Sequence, residues 1–153
     1  MAQDTTWKPN VTVAAVVQFE GRFLLVEEHT ERGALFNQPA GHLDPAESLI
    51  DAAVRETLEE TAYTFKPTAL IGIYNYHDAA KDTTYLRFAF AGEVTGCDAN
   101  RRLDEGIIRA AWLTPQEIRD SSERHRTPLV TRCMDDYLAG KRYPLELLTH
   151  YPA

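Results

Sequence analysis

Between Gly41 and Tyr63 the chain reads GHLDPAESLIDAAVRETLEETAY, and no other stretch limits the fold as strongly. Asp44 is a good N-cap, Pro45 suits a first helical position, and Glu47 sits where it closes a capping box, so a helix is expected from Pro45. Ile50, Val54, Leu58 and Thr61 recur at helical spacing and predict the stripe that this helix buries. Glu56, Glu59 and Glu60 share another face. That face is poor structural chemistry. Like charges one turn apart repel by about 0.2–0.5 kcal/mol, and acids near a helix C-terminus oppose its dipole by about 0.3–1 kcal/mol each. Only Arg55 is near enough in sequence to compensate. A cluster of hard oxygen ligands of this kind is relieved by Mg²⁺ or Mn²⁺; the plainer reading is a solvated acidic face.

The wider spacing decides between these readings. Gly41, five residues, Glu47, seven residues, then Arg55-Glu56-Thr57-Leu58-Glu59-Glu60 resembles the box of the MutT-like Nudix hydrolase family, G-x5-E-x7-R-E-U-x-E-E-x-G-U, where U is a bulky apolar residue. Ala62 stands where the box has its second glycine, and Thr57 where it has an apolar residue. Ala disfavours the left-handed conformation that glycine tolerates at a helix exit. Neither departure removes a carboxylate.

With 153 residues the chain is expected to form a single Nudix domain over 1–153, burying roughly 70% of its unfolded surface. A net charge of −7 argues against a nucleic-acid polymer as partner. It leaves room for a small phosphorylated substrate whose charge a metal offsets. Cys97 and Cys133 form neither a zinc pattern nor a disulfide framework and read as free thiols of a reducing compartment. MAQDTTWKPN lacks the blocks of a signal peptide, and no apolar run reaches membrane-spanning length. The expectation is a cytoplasmic monomer or homodimer with no membrane partner.

Along the chain, Val11 to Gln18 reads as a strand, Glu20-Gly21 as a turn and Arg22 to Glu28 as the returning strand of a hairpin. Thr30 to Ala34 reads as a loop. Thr68 to His77 and Thr84 to Val94 read as a second hairpin across the polar turn Asp78 to Thr83. A charged loop, Gly96 to Gly106, precedes a strand over Ile107 to Leu113. Thr114-Pro115-Gln116-Glu117 carries a capping box that opens a short helix, and Thr127-Pro128 is expected to open a third by the same device. The third helix runs to about Ala139, packs through Met134, Tyr137 and Leu138, and stops at Gly140. The tail from Lys141 to Ala153 is expected to pack back through Tyr143, Leu145 and Leu148. Hairpins mixed with helices point to an α/β fold with a mixed sheet. The resemblance implies the Nudix α/β/α sandwich.

The likeness extends beyond the box. VTVAAVV, FLLVEE, FNQPAGH, YLRFAFAGEV, TPLV and RYPLE resemble a phosphatase branch of the family along nearly the full chain. That branch implies release of phosphate from nucleoside tri- and diphosphates, and from thiamine pyrophosphate or its hydroxymethylpyrimidine pyrophosphate precursor.

The implied chemistry falls residue by residue. Phosphoanhydride hydrolysis needs charge neutralisation, an in-line water and a stabilised leaving oxygen. Glu56 and Glu60 are expected to hold Mg²⁺, with Mn²⁺ as a substitute, and the Gly41 carbonyl is a further ligand as in the family. Glu59 is either a ligand or the general base. Glu47 and Arg55 pair to orient these carboxylates, Glu47 doubling as a cap. Asp104 and Glu105 offer a further acid or a solvated loop charge. Arg87 suits a substrate phosphate or a cross-strand ion pair. Phe36, Tyr74 and Tyr76 suit stacking on a ring or the core, and His42 and His77 have no metal-ligand spacing. Two alternatives stand beside the phosphatase. One is a pyrophosphohydrolase of ADP-ribose, a nucleotide sugar or a nucleoside triphosphate. The other is a non-catalytic ligand-sensing Nudix domain, against which the intact glutamates argue. No EF-hand loop occurs.

Overall fold

The computed structural model describes residues 3–152; Met1, Ala2 and Ala153, at the ends of the expected domain, leader reading and tail, lie outside them. The strands are β1 (Asn10–Val16), β2 (Gln18–Phe19), β3 (Arg22–Thr30), β4 (Gly33–Asn37), β5 (Ala40–His42), β6 (Tyr63–Asp78), β7 (Thr83–Cys97) and β8 (Ile107–Leu113). The helices are α1 (Leu49–Thr61), α2 (Pro115–Asp120) and α3 (Leu129–Leu138), with short 3₁₀ turns at Ser122–Arg124 and Leu145–Leu147.

One sheet has the order β5-β1-β7-β6 and is mixed, because β1 runs parallel to β7 and antiparallel to β5. In the other, β3 pairs with β2, β4 and β8. Strand alternation sends successive side chains to opposite faces. Ala14 and Val16 of β1 therefore join α2 and α3 residues Ile118, Val130, Cys133 and Met134 in one core. Val13, Ala15 and Val17 meet Ala52 and Ala53 of α1 in the other. Helices cover the sheet on both sides, giving the expected α/β/α sandwich.

Several local expectations are corrected. The first hairpin is only a short β2–β3 pair, Gln18 with Phe23 and Phe19 with Arg22. The long strand before it pairs instead with β5 and β7, contacts that no local turn signal announces. The tight turn itself is as read, with Glu20 and Gly21 both at positive φ. The expected loop over Thr30 to Ala34 shrinks to two residues, since Thr30 already pairs with Gly33.

α1 starts at Leu49, not Pro45. Ala46 adopts φ 64°, which breaks a right-handed path, and Ser48 is the cap, its Oγ accepting from the Asp51 N–H at 3.0 Å. The Asp44 carboxylate instead lies 3.4 Å from Arg55. Half the capping box survives as a turn, the Asp44 N–H donating to Glu47 Oε1 at 3.1 Å. The buried face of α1 is Ala52, Ala53, Thr57, Glu60 and Thr61, while Ile50, Val54 and Leu58 are only half-buried. Small residues win this face because the helix lies close against the sheet. Thr57 is tolerated there because its hydroxyl donates to the Ala53 carbonyl at 2.8 Å. Ala62 caps the helix at φ 64°, taking the left-handed conformation that the box glycine would supply.

β8 and the capping box of α2 stand as read, and the β6–β7 hairpin forms but is longer than expected, β6 beginning at Tyr63 and β7 running through Gly96 to Cys97 into the expected loop. α3 lacks the expected capping box and begins at Leu129 after Pro128, with no acid three residues on to complete the motif. Met134 is buried and Tyr137 packs beside it, whereas Leu138 is exposed. Gly140 ends the helix at φ 81°. Tyr143 exchanges backbone hydrogen bonds with Leu70 at 2.9 and 2.8 Å, and Leu145 and Leu148 pack on the α1-side core. Both cysteines are free thiols, Cys97 exposed and Cys133 buried. Among the described residues no helix is long and apolar enough to cross a membrane.

Candidate active site

α1 carries its charges to one end of the sheet, beside β5. Arg55 is the hub. Its Nε donates to Glu47 Oε2 at 2.8 Å and Nη2 to Glu47 Oε1 at 3.0 Å, a two-pronged pairing that suits a planar guanidinium. Nη1 donates to Glu56 Oε1 at 2.9 Å and to Glu59 Oε2 at 3.1 Å, and Nη2 to the His42 carbonyl at 2.9 Å. One cation thus hydrogen-bonds three carboxylates and the backbone of β5, with a fourth carboxylate, Asp44, at 3.4 Å. Its partners, Glu47 first, hold the Arg55 pKa above its ordinary value. The same hydrogen bonding holds Glu47 below the usual carboxylate range.

Glu60 is different. It is 8% exposed, and its Oε1 accepts from the Ala40 N–H at 2.8 Å. Burial first, then the charges of Glu28, Glu56 and Asp104, push its pKa up to about 8 against that bond. Burial likewise raises Glu56 to about 6, despite Arg55. Gly41 is required where it stands: a Cβ there would lie 2.0 Å from Cδ of Glu56, so the carboxylate fills the space above the glycine.

Carboxylate oxygens of Glu56, Glu59 and Asp104 lie within 4.8 Å of one another. Asp104 reaches this cluster because its N–H donates to the Glu59 carbonyl at 3.0 Å, tying the loop to the end of α1. Of the two loop acids weighed from sequence, Asp104 joins the site. Glu28, at the end of β3, is a site acid that sequence reading missed; it pairs with Arg126 at 2.6 Å. Its only sequence signal was a second acid at a strand end.

Of these acids, Glu28, Glu56 and Glu60 border a cavity of about 330 Å³, lined also by Gly41, Arg87 and Tyr76, among others. Arg87 is 5% exposed and makes no ion pair among the described residues. Its Nη1 donates to Gln38 Oε1 and its Nη2 to Asn37 Oδ1, each at 3.1 Å. The cross-strand ion pair is therefore ruled out for it. Two of the three aromatic candidates take the core alternative. Phe36 is buried in the core, and the Tyr74 hydroxyl is taken by Asp136 at 2.7 Å. His77 bonds Thr84 at 3.0 Å and lies 3.4 Å from the Asp82 carboxylate, and His42 contributes its carbonyl.

The clustered carboxylates of Glu56, Glu59 and Asp104 fit a hard divalent cation. The NUDIX domain model matches residues 6–133. This chain belongs to the Nudix family. It is 42% identical to Phosphatase NudJ of Escherichia coli strain K12 over 142 residues, 93% of this chain and 92% of that protein. It is 54% identical to a Nudix hydrolase from Nitrosomonas europaea, with a TM-score of 0.92 over 94% of this chain and 98% of that one. A MutT protein from Methanosarcina mazei Go1 follows at 25% identity and a TM-score of 0.67, covering 90% of this chain and 100% of that one. Like other Nudix hydrolases, the protein is an enzyme acting on phosphorus-containing acid anhydrides.

Proposed function

We propose that the protein is a Mg²⁺-dependent phosphohydrolase, with Mn²⁺ as a substitute, that releases phosphate from nucleoside tri- and diphosphates and from thiamine pyrophosphate or its hydroxymethylpyrimidine pyrophosphate precursor. The observation that carries the metal dependence is the cluster of Glu56, Glu59 and Asp104 carboxylates within 4.8 Å of one another, with Glu60 buried one turn beyond Glu56 on the same helix. The substrate class is supported by the 42% identity to NudJ.

Glu56, Glu60 and the Gly41 carbonyl would hold the ion, with Asp104 near enough to Glu56 and Glu59 to share it. The ion would supply charge neutralisation and an acidified water. Glu59, held by Arg55 at 3.1 Å, takes the proton of the attacking water or serves as a further ligand. Arg55 and Glu47 keep Glu56 and Glu59 in place. Arg87 receives a phosphate oxygen, since its charge has no carboxylate beside it.

A cleavage between two organic phosphates has one observation in its favour. A shallow groove lined by Arg32, Lys81, Arg126 and Thr131 continues from the cavity and has room for a second organic group. Phosphorus NMR separates the readings. Thiamine pyrophosphate, a nucleoside triphosphate and ADP-ribose are each incubated with enzyme and Mg²⁺. Orthophosphate from the first two alone supports the phosphatase. Pyrophosphate, or AMP with ribose phosphate, moves the reading to a pyrophosphohydrolase. No product with any of them leaves a substrate outside these three or a sensor domain.

A further inference from the structure

The floor of the cavity follows from strand register. On β7, Arg87 and Tyr85 are two residues apart and so share a face. Arg87 lies opposite Thr12 of β1, and Tyr85 lies opposite Tyr76 of β6. Further along the same face, Ala14 and Ala89 pair beneath α3 in the core. The face therefore runs from buried alanines, through Thr12 and Arg87, to the tyrosine pair at the cavity mouth. Thr12, Arg87, Tyr76 and Tyr85 all line the cavity.

The fold leaves the Arg87 charge and the two phenol groups of this floor uncommitted among the described residues. The Gln38 amide donates through Nε2 to the Val130 carbonyl at 2.8 Å, which obliges its oxygen to face Arg87. Arg87 is thus held by two neutral amides and, at 3.9 Å, the Cys133 sulfur, with no carboxylate bonded to it among the described residues, and its charge stays available to an anion. Tyr74 spends its hydroxyl on Asp136, whereas among the described residues neither Tyr76 nor Tyr85 bonds another group through its phenol oxygen. Both are only half-buried. Two residues along a strand span about 6.6 Å, so an anion on Arg87 sits about one ring's length from the tyrosine pair.

We infer that Tyr76 and Tyr85 are specificity-determining residues: they receive the aromatic ring of the substrate while Arg87 receives the phosphate nearest to it, selecting heteroaromatic esters of di- and triphosphate over phosphoanhydrides with no ring. This rests on the phosphohydrolase reading above and adds to it the part of the substrate that is recognised.

The test compares kcat/KM for thiamine pyrophosphate and for inorganic tripolyphosphate, with Mg²⁺, in wild type, Tyr76→Leu/Tyr85→Leu and Tyr76→Phe/Tyr85→Phe. Loss of stacking lowers aromatic recognition by about ten- to a hundredfold. The selectivity ratio, aromatic over ringless, is expected to fall at least tenfold in the leucine variant and to recover in the phenylalanine variant. An unchanged ratio, whether both rates fall together or neither does, overturns the inference. Calorimetric affinities for the same two probes, with Ca²⁺ in place of Mg²⁺, read the floor without turnover. If wild type hydrolyses neither probe but still prefers thiamine pyrophosphate in a tyrosine-dependent way, the hydrolase reading fails and the floor stands. If the affinities show no such preference, the floor fails by itself.

Discussion

Glu60→Gln should make the metal-free protein more stable while destroying its response to metal. The native pKa of Glu60 is about 8 against an ordinary 4.5. Across that window the folded chain keeps a proton that the unfolded chain has released. Stability therefore falls as pH rises from 4.5 and levels off above 8. At pH 7, about 2.5 pH units into the window, the penalty is about 3 kcal/mol at roughly 1.4 kcal/mol per unit. Glutamine carries no charge to desolvate and keeps an oxygen to accept from the Ala40 N–H. In EDTA at pH 7 the variant should gain about 3 kcal/mol by urea denaturation, or about 6–12 °C in Tm for a chain of this size. The wild-type advantage of low pH should vanish in the variant. Adding Mg²⁺ should raise the wild-type Tm and leave the variant nearly unmoved, and Mg²⁺-dependent turnover should be lost. A variant that is no more stable than wild type in EDTA at pH 7 would refute the reasoning. So would wild-type turnover, which would remove Glu60 from the metal assignment.

Other perturbations test separate parts of the site. Gly41→Ala places a Cβ 2.0 Å from Cδ of Glu56; the carboxylate must move by about 1 Å or more, and kcat/KM for a nucleoside triphosphate should fall about 100-fold. Arg55→Lys replaces the fork that grips Glu47, Glu56 and Glu59 with a single nitrogen; activity should drop about 10- to 100-fold, with weaker Mg²⁺ binding measured by titration. Ala62→Gly relieves a left-handed alanine at φ 64°, worth about 1–2 kcal/mol, against about 0.8 kcal/mol for the buried methyl. The net should be up to about 1 kcal/mol of added stability by thermal denaturation, and any loss of Tm would contradict the strain argument.

The sequence made legible those features whose causes are local. The carboxylate spacing of α1, the capping box at Thr114, the β6–β7 hairpin and the stop at Gly140 each depend on residues within one or two turns of chain. The start of α1 was misread because its causes are distant. Asp44 and Glu47 look like a cap, but Arg55, a full turn and more into the helix, draws both carboxylates, and Ala46 turns left-handed to let the chain follow. The parallel pairing of β1 with β7 joins segments more than 70 residues apart and has no turn to announce it. Asp104 and Glu28 were undervalued for the same reason. One is brought in by a backbone hydrogen bond to Glu59, the other by the position of β3 in its sheet.

The residues that look least functional on α1 explain why its acids work together. Ala52, Ala53 and Thr57 are nearly fully buried, and a larger side chain at any of them would lift the helix from the sheet. Lifting it would also draw Glu56 away from Gly41 and Glu60 away from the Ala40 N–H, since both contacts cross the gap between α1 and β5. The small face and the glycine are thus two sides of one fit. Their combined effect is to desolvate Glu56 and Glu60 enough to raise both pKa values, to about 6 and about 8. An exposed acidic face would show neither the close packing nor the desolvation. The departure from helix rules that first singled out this stretch is therefore built into the packing, with Arg55 offsetting part of the repulsion and leaving Glu60 without a cation of its own among the described residues.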